Sequence, residues 1–147
     1  MDIKVDLIRS IYLEIREIHR LYNKQSRKVL VDYDITMPQL YVLRYLLEME
    51  QAQKQVTITD LILKVDCSPS SMSIMIQRLE QEGMVNAVRG IKDRREVFVT
   101  ITEKGKQILY PVELSAEQFI EERYKDIESS ELQALYTSLQ KFKRSIE

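Results

Sequence analysis

Between Arg89 and Arg95 the chain sets four cations, Arg89, Lys92, Arg94 and Arg95, against one acid, Asp93, which leaves a local charge of +3. The whole chain carries −1, so any affinity for a polyanion has to come from local clustering of this kind. Guanidinium groups on a hairpin tip suit the narrow minor groove of A·T-rich DNA, where the negative potential is deepest. Arg94 is the first candidate for that contact and Arg95 the second, with Arg89 at the hairpin base placed for a phosphate. The competing use is a salt bridge between Asp93 and one of the arginines that shapes the loop.

A second group lies just upstream. Ser68, Ser70, Ser71, Ser73, Gln77 and Arg78 put hydroxyls, an amide and a guanidinium along one short segment. Near a helix N-terminus such groups meet phosphates and base edges in a major groove. A solvated helix face would carry the same residues without any nucleic acid. Glu80 and Glu82 follow at once, so the segment is not itself basic.

Elsewhere the chemistry is sparse. His19 and Cys67 are the single histidine and the single cysteine, and neither HExxH nor CxxC occurs, so no metal site is expected. Gly83, Gly90 and Gly105 are isolated and form no phosphate-cradling loop. With no nucleophile beside a base and no carboxylate pair in an apolar setting, the expectation is no enzyme and no cofactor. Cys67 has two readings: a small core hydrophobe, or an oxidant sensor if it is exposed at a helix N-terminus that lowers its pKa. Met72, Met75 and Met84 read as core.

These groups need elements to hold them. Thr57 followed by Asp60 marks a helix start, and Leu61, Ile62 and Val65 carry that helix to about Asp66. Ser68 at the N-cap and Pro69 in the first turn open a second helix, with Met72, Met75, Ile76 and Leu79 at helical spacing and Gly83 as its close. Met84–Val88 and Glu96–Ile101 are β-branched and apolar, and the basic segment joins them as a hairpin. A helix-turn-helix followed by a charged hairpin is a winged helix.

At this point the residues resemble the MarR (multiple antibiotic resistance regulator) family. Ser68-Pro69-Ser70-Ser71-Met72-Ser73 is similar to that family's recognition-helix opening, Asp93-Arg94-Arg95 to its wing, and Ile101-Thr102-Glu103-Lys104-Gly105-Lys106 to the helix start that follows. Two departures stand out: Ile74, where the family often has arginine, and Glu82, where lysine is common. The resemblance implies a homodimeric, sequence-specific regulator of a pseudo-palindromic double-stranded DNA operator, a repressor relieved by a small aromatic or anionic ligand. It also implies a cleft between the dimer helices and the reader, for which Tyr12, Arg16, His19, Tyr41 and Arg44 are the candidates. A partly exposed His19 on a polar helix is the plainer alternative.

The flanks fit a dimer. From Ile3 to about Asp32 no glycine or proline interrupts a helical pattern in which Ile8, Ile11, Ile15, Ile18 and Tyr22 step by three and four, a narrow coiled-coil seam. Leu132, Leu135, Leu139, Phe142 and Ile146 repeat it at the other end, in a helix for which Ser129 or Ser130 is the expected cap. Thr36-Met37-Pro38-Gln39 looks like a capping box for a helix bearing Leu40, Leu43, Leu46 and Leu47, with a polar connector over 48–55 that reads as a fraying helix end plus loop. Val56 and Thr57 suit a minimal third strand, and Pro111 should kink the helix begun at Thr102.

The fold class expected is therefore mainly α with a small β hairpin: a winged helix-turn-helix over 36–101, an N-terminal dimerisation helix over 1–35 and C-terminal dimerisation helices over 102–147, intertwined as one domain. No apolar run reaches the ~20 residues of a membrane span, and the first residues lack a secretory core, so a cytoplasmic protein is expected. Two rivals are kept: a winged helix turned to protein contacts, motivated by Ile74, Glu80 and Glu82, and a regulator that senses oxidants through Cys67.

Overall fold

The computed structural model describes residues 2–147. Helix α1 (Ile3–Leu30) is capped by the Asp2 carboxylate and runs into a 3-10 turn (Val31–Tyr33). Then come α2 (Met37–Gln51), α3 (Ile58–Val65) and α4 (Pro69–Gln81), a hairpin of β1 (Val85–Arg89) and β2 (Val97–Ile101), and finally α5 (Glu103–Tyr124) and α6 (Ser129–Arg144). The chain divides into two compact units, one ending at Glu113 and the other Leu114–Glu147.

Local chemistry explains most element starts. At α2 the Thr36 N–H donates to Gln39 Oε1 at 2.8 Å while the Gln39 N–H donates back to Thr36 Oγ1 at 3.4 Å. Thr57 and Asp60 repeat the exchange at α3, at 2.8 and 3.2 Å, so each helix satisfies orphan amides with its own side chains. Helix α3 ends on Asp66 in the left-handed region, and two residues later Ser68 Oγ accepts from the Ser71 N–H at 3.1 Å to open α4. That tight link sets the angle of a helix-turn-helix. Gly83, at φ 74°, ends α4 in a conformation glycine adopts without a Cβ penalty.

The core of the first unit lies among α2, α3, α4, the hairpin and the first turns of α5. Val42, Leu43, Leu61, Met72, Leu79, Val85, Val99, Leu109 and Val112 are fully buried there. The strands pair antiparallel with Val85 opposite Ile101 and Arg89 opposite Val97. The minimal third strand is present: Thr57 bridges Phe98, and the Val99 N–H donates to the Val56 carbonyl at 2.9 Å. This bond ties the wing base to the start of α3. At Gly105 a Cβ would collide with the Met84 carbonyl, so the absence of a side chain lets α5 leave the sheet close against β1.

The structure adds detail at three of the expected features, and at the last of them it corrects the expectation. The polar stretch 48–55 divides into a helix end and a loop: the helix stops at Gln51, Gln53 turns left-handed, and the Lys54 N–H closes onto the Met49 carbonyl at 2.8 Å. Helix α5 runs on through Pro111 as one element. The cap of α6 is Glu128, whose N–H donates to the Glu131 carboxylate at 3.0 Å. Ser129 and Ser130 are already helical, because Glu128 takes the extended conformation a cap needs and Glu131 stands three residues on.

Exposed apolar residues gather at both ends of the chain. On α1, Ile8 and Ile11 are partly covered while Ile15, Ile18 and Tyr22 are exposed. On α6 no residue is buried; Leu132, Leu135 and Leu139 are exposed and Phe142 is partly covered, and Ile146, past the end of the helix, is exposed as well. No helix among the described residues is long and apolar enough to cross a membrane.

Candidate nucleic-acid interface

The wing is held by its own backbone. The Gly90 N–H donates to the Glu96 carbonyl at 2.9 Å, and the Glu96 N–H to the Asp93 carbonyl at 3.2 Å. Within that loop the Asp93 carboxylate accepts the Arg95 N–H at 2.8 Å. A Cβ on Gly90 would stand 2.6 Å from the Asp93 carbonyl, so glycine is required for the loop to close. The carboxylate thus folds the tip, an Asx turn in which the side chain replaces a backbone acceptor. Arg89, Lys92, Arg94 and Arg95 are all exposed around it.

Asp93 is open to a direct test because two effects oppose each other. Removing a negative charge beside a polyanion would strengthen binding, whereas losing the turn would weaken it. Losing one intramolecular hydrogen bond costs about 1 kcal/mol. Asp93→Ala should therefore bind DNA several-fold more weakly, and Asp93→Asn, which keeps an acceptor and drops the charge, should bind at least as well as the parent. Fluorescence anisotropy on the three proteins decides it, and an alanine variant that binds more tightly would show that charge governs.

Helix α4 turns its polar side outward. Ser70, Ser71, Ser73 and Gln77 are exposed, opposite buried Met72, Ile76 and Leu79. Ser68 Oγ, besides capping the helix, lies 2.8 Å from Ser71 Oγ and 3.1 Å from Ser70 Oγ, so the opening turn is a linked hydroxyl cluster. Arg78 is placed differently from the serines. Its Nε donates to Glu82 Oε1 at 2.9 Å, and that hydrogen bond holds the guanidinium even more firmly charged. Its neighbour Glu80 accepts the Ala87 N–H at 3.1 Å. Both acids, Glu80 and Glu82, are thus engaged within the chain.

Arg78 also borders a cleft of about 800 Å³ formed by the second half of α1, the 3-10 turn and the start of α2. His19, Asn23, Arg27, Asp34 and Tyr41 line it, and His19 Nε2 lies 2.9 Å from Asn23 Nδ2. A smaller cavity of about 440 Å³ beside it takes in Tyr41 again, with Arg44, Tyr45 and Lys64. Burial first, and then the Tyr22 hydroxyl, push the Tyr41 phenol above its ordinary value. Arg44 Nε donates to Glu113 at 2.9 Å. Of the five residues expected to line an effector cleft, the structure brings His19, Tyr41 and Arg44 to these two cavities, whereas Tyr12 and Arg16 line neither. Asn23 and Arg27 were missed; their four-residue steps from His19 along α1 were the available signal.

Cys67 is partly buried and packs against the core. No cluster of metal-ligating side chains occurs among the described residues.

A capped helix pair whose second member faces outward beside a basic hairpin defines a DNA-binding winged helix of the MarR type. Comparison with known proteins narrows this. The family model of the transcriptional regulator SarA/Rot matches residues 21–111. The HTH-type transcriptional regulator MgrA of Staphylococcus aureus is 31% identical over 107 residues, 73% of this chain and 68% of that protein. A MarR-like transcription regulator from Bacillus cereus superposes with a TM-score of 0.82 at 29% identity, over 95% of this chain and 97% of that one. A cysteine-to-serine mutant of Escherichia coli MarR, crystallised with operator DNA, shares the fold with a TM-score of 0.77 at 22% identity, over 97% of this chain and 99% of that one.

The chain belongs to the SarA/Rot family of transcriptional regulators. The resemblance to MarR read from Ser68–Ser73, Asp93–Arg95 and Ile101–Lys106 holds, and the family's members are regulators rather than enzymes.

Proposed function

We propose that this regulator acts as a homodimer on a pseudo-palindromic operator and represses until a small aromatic or anionic ligand releases it. The observation that carries the proposal is the wing: four exposed cations on a hairpin whose shape is set by main-chain bonds and one Asx turn. Arg94 and Arg95 enter a minor groove, Arg89 and Lys92 meet phosphates, and Ser68, Ser70, Ser71, Ser73 and Gln77 face the adjoining major groove. Asp93 works through the turn it folds, and Arg78 is the candidate nearest to the cleft. The operator-bound crystal of the Escherichia coli MarR mutant, which has this fold, supports the placement.

Residues 36–101 form the reader in this proposal, and 1–35 with 102–147 bring two chains together through Ile8, Ile11 and Ile15 and through Leu132, Leu135, Leu139 and Phe142. Two-fold symmetry then puts the recognition helices about one DNA turn, ~34 Å, apart. The cleft that His19, Arg27 and Tyr41 line offers a guanidinium, an imidazole and an aromatic ring to an anionic ligand, and a ligand favouring the wrong helix separation would release DNA by shifting populations. Such a protein works in the cytoplasm.

An electrophoretic shift assay with DNA from upstream of its own gene tests the reading. Salt-sensitive, sequence-selective retardation is expected; no shift at low salt would favour a winged helix given over to protein contacts.

A further inference from the structure

One large apolar side chain stands on the outward face of α4. Ile74 is 68% exposed, on a helix whose apolar needs are already met by buried Met72, Ile76 and Leu79 on the opposite side. Its spacing from Ser70 and Gln77, four residues and then three, places all three on one outward ridge. The ridge also lacks a free arginine: Arg78, the nearest cation on the helix, is bound to Glu82 and borders the cleft.

In a major groove these side chains find different edges. Arginine pairs with guanine, glutamine makes two bonds to adenine, and an apolar side chain packs on the thymine C5-methyl group. The geometry points to Ile74 as the residue that selects thymine, through the methyl group that distinguishes it from cytosine and from uracil. Gln77, next along the ridge, reads an adenine beside it. The inference rests on the proposed entry of α4 into the major groove, and it deepens that reading by naming the base that is read.

Thymine and uracil differ by that methyl alone, so the test is atomic. Duplexes preferred by the full-length protein are selected from a random pool, and each thymine is then replaced singly by deoxyuridine for measurement by fluorescence anisotropy. One thymine in each half-site should lower wild-type affinity about four-fold when its methyl is removed, the value expected for one buried methyl. Ile74→Ala should bind more weakly and be indifferent to that replacement, while Ile74→Val should keep the sensitivity. Because the side chain is exposed, both variants should fold, which circular dichroism verifies. Equal deoxyuridine sensitivity of wild type and Ile74→Ala at every thymine would overturn the assignment and leave DNA binding by α4 intact. A wild-type protein that selects no sequence would overturn the operator reading and the assignment together.

Discussion

Arg94→Ala should bind operator DNA at least roughly thirty-fold more weakly than the parent, because the dimer loses two arginine contacts of about 1–3 kcal/mol each. The loss should extend to most sequences, because the groove potential that draws a guanidinium inward depends on groove width rather than on any single base. A second readout separates charge from shape. Each phosphate-neutralising cation contributes roughly 0.9 to the slope of log affinity against log salt, and a dimer carries two wings, so the slope should flatten by roughly two. Arg94→Lys keeps the charge and loses the planar fork; it should retain the slope and recover part of the affinity. The wing should survive either change, since the bonds that close it run between Gly90, Asp93, Arg95 and Glu96 through backbone groups and one carboxylate. Unchanged affinity in Arg94→Ala would remove Arg94 from the interface.

Why the wing was readable from sequence and the cleft only in part follows from the kinds of signal each carries. Cap chemistry is local: Thr36 with Gln39, Thr57 with Asp60 and Ser68 with Ser71 act within three residues, so spacing alone located three helix starts. The hairpin likewise declared itself through β-branched runs on either side of a charged loop. Even the bridge from Thr57 to Phe98 was visible, as the short extended pair Val56–Thr57 before α3. The cleft is built otherwise. It joins His19 and Arg27 to Tyr41 and Arg78 across three helices, and no local pattern records such a meeting. The role of Arg78 was hidden for a related reason: on a helix surface a basic residue four positions before an acid can pair along the helix or reach outward, and here it pairs with Glu82. Ile74 was noticed as a departure from the resembled family, but its exposure, which turns the departure into a functional question, needed the fold.

Aspartate at both Leu135 and Leu139 should convert the protein to a monomer and reduce operator affinity by more than a hundred-fold. Within the single chain these leucines are 56% and 43% exposed. Polar substitution at exposed sites ordinarily changes stability by about 0.5 kcal/mol or less, so the folded monomer should tolerate it. Across a dimer interface the arithmetic differs. An unpaired carboxylate held away from water costs on the order of 3–5 kcal/mol, and two-fold symmetry repeats each substitution on the partner. Four such charges exceed what an ordinary interface can absorb, and a lone half-site reader loses the linkage that makes the second wing's binding intramolecular. Sedimentation velocity reports the mass, thermal unfolding reports the monomer's integrity, and anisotropy reports the DNA. The same charges at Gln133 and Gln140, on the far side of α6, should alter none of the three substantially. If the Leu135/Leu139 variant sediments as a dimer and still binds, the apolar row of α6 is not where two copies meet, and the spacing of the two readers must be set by something else.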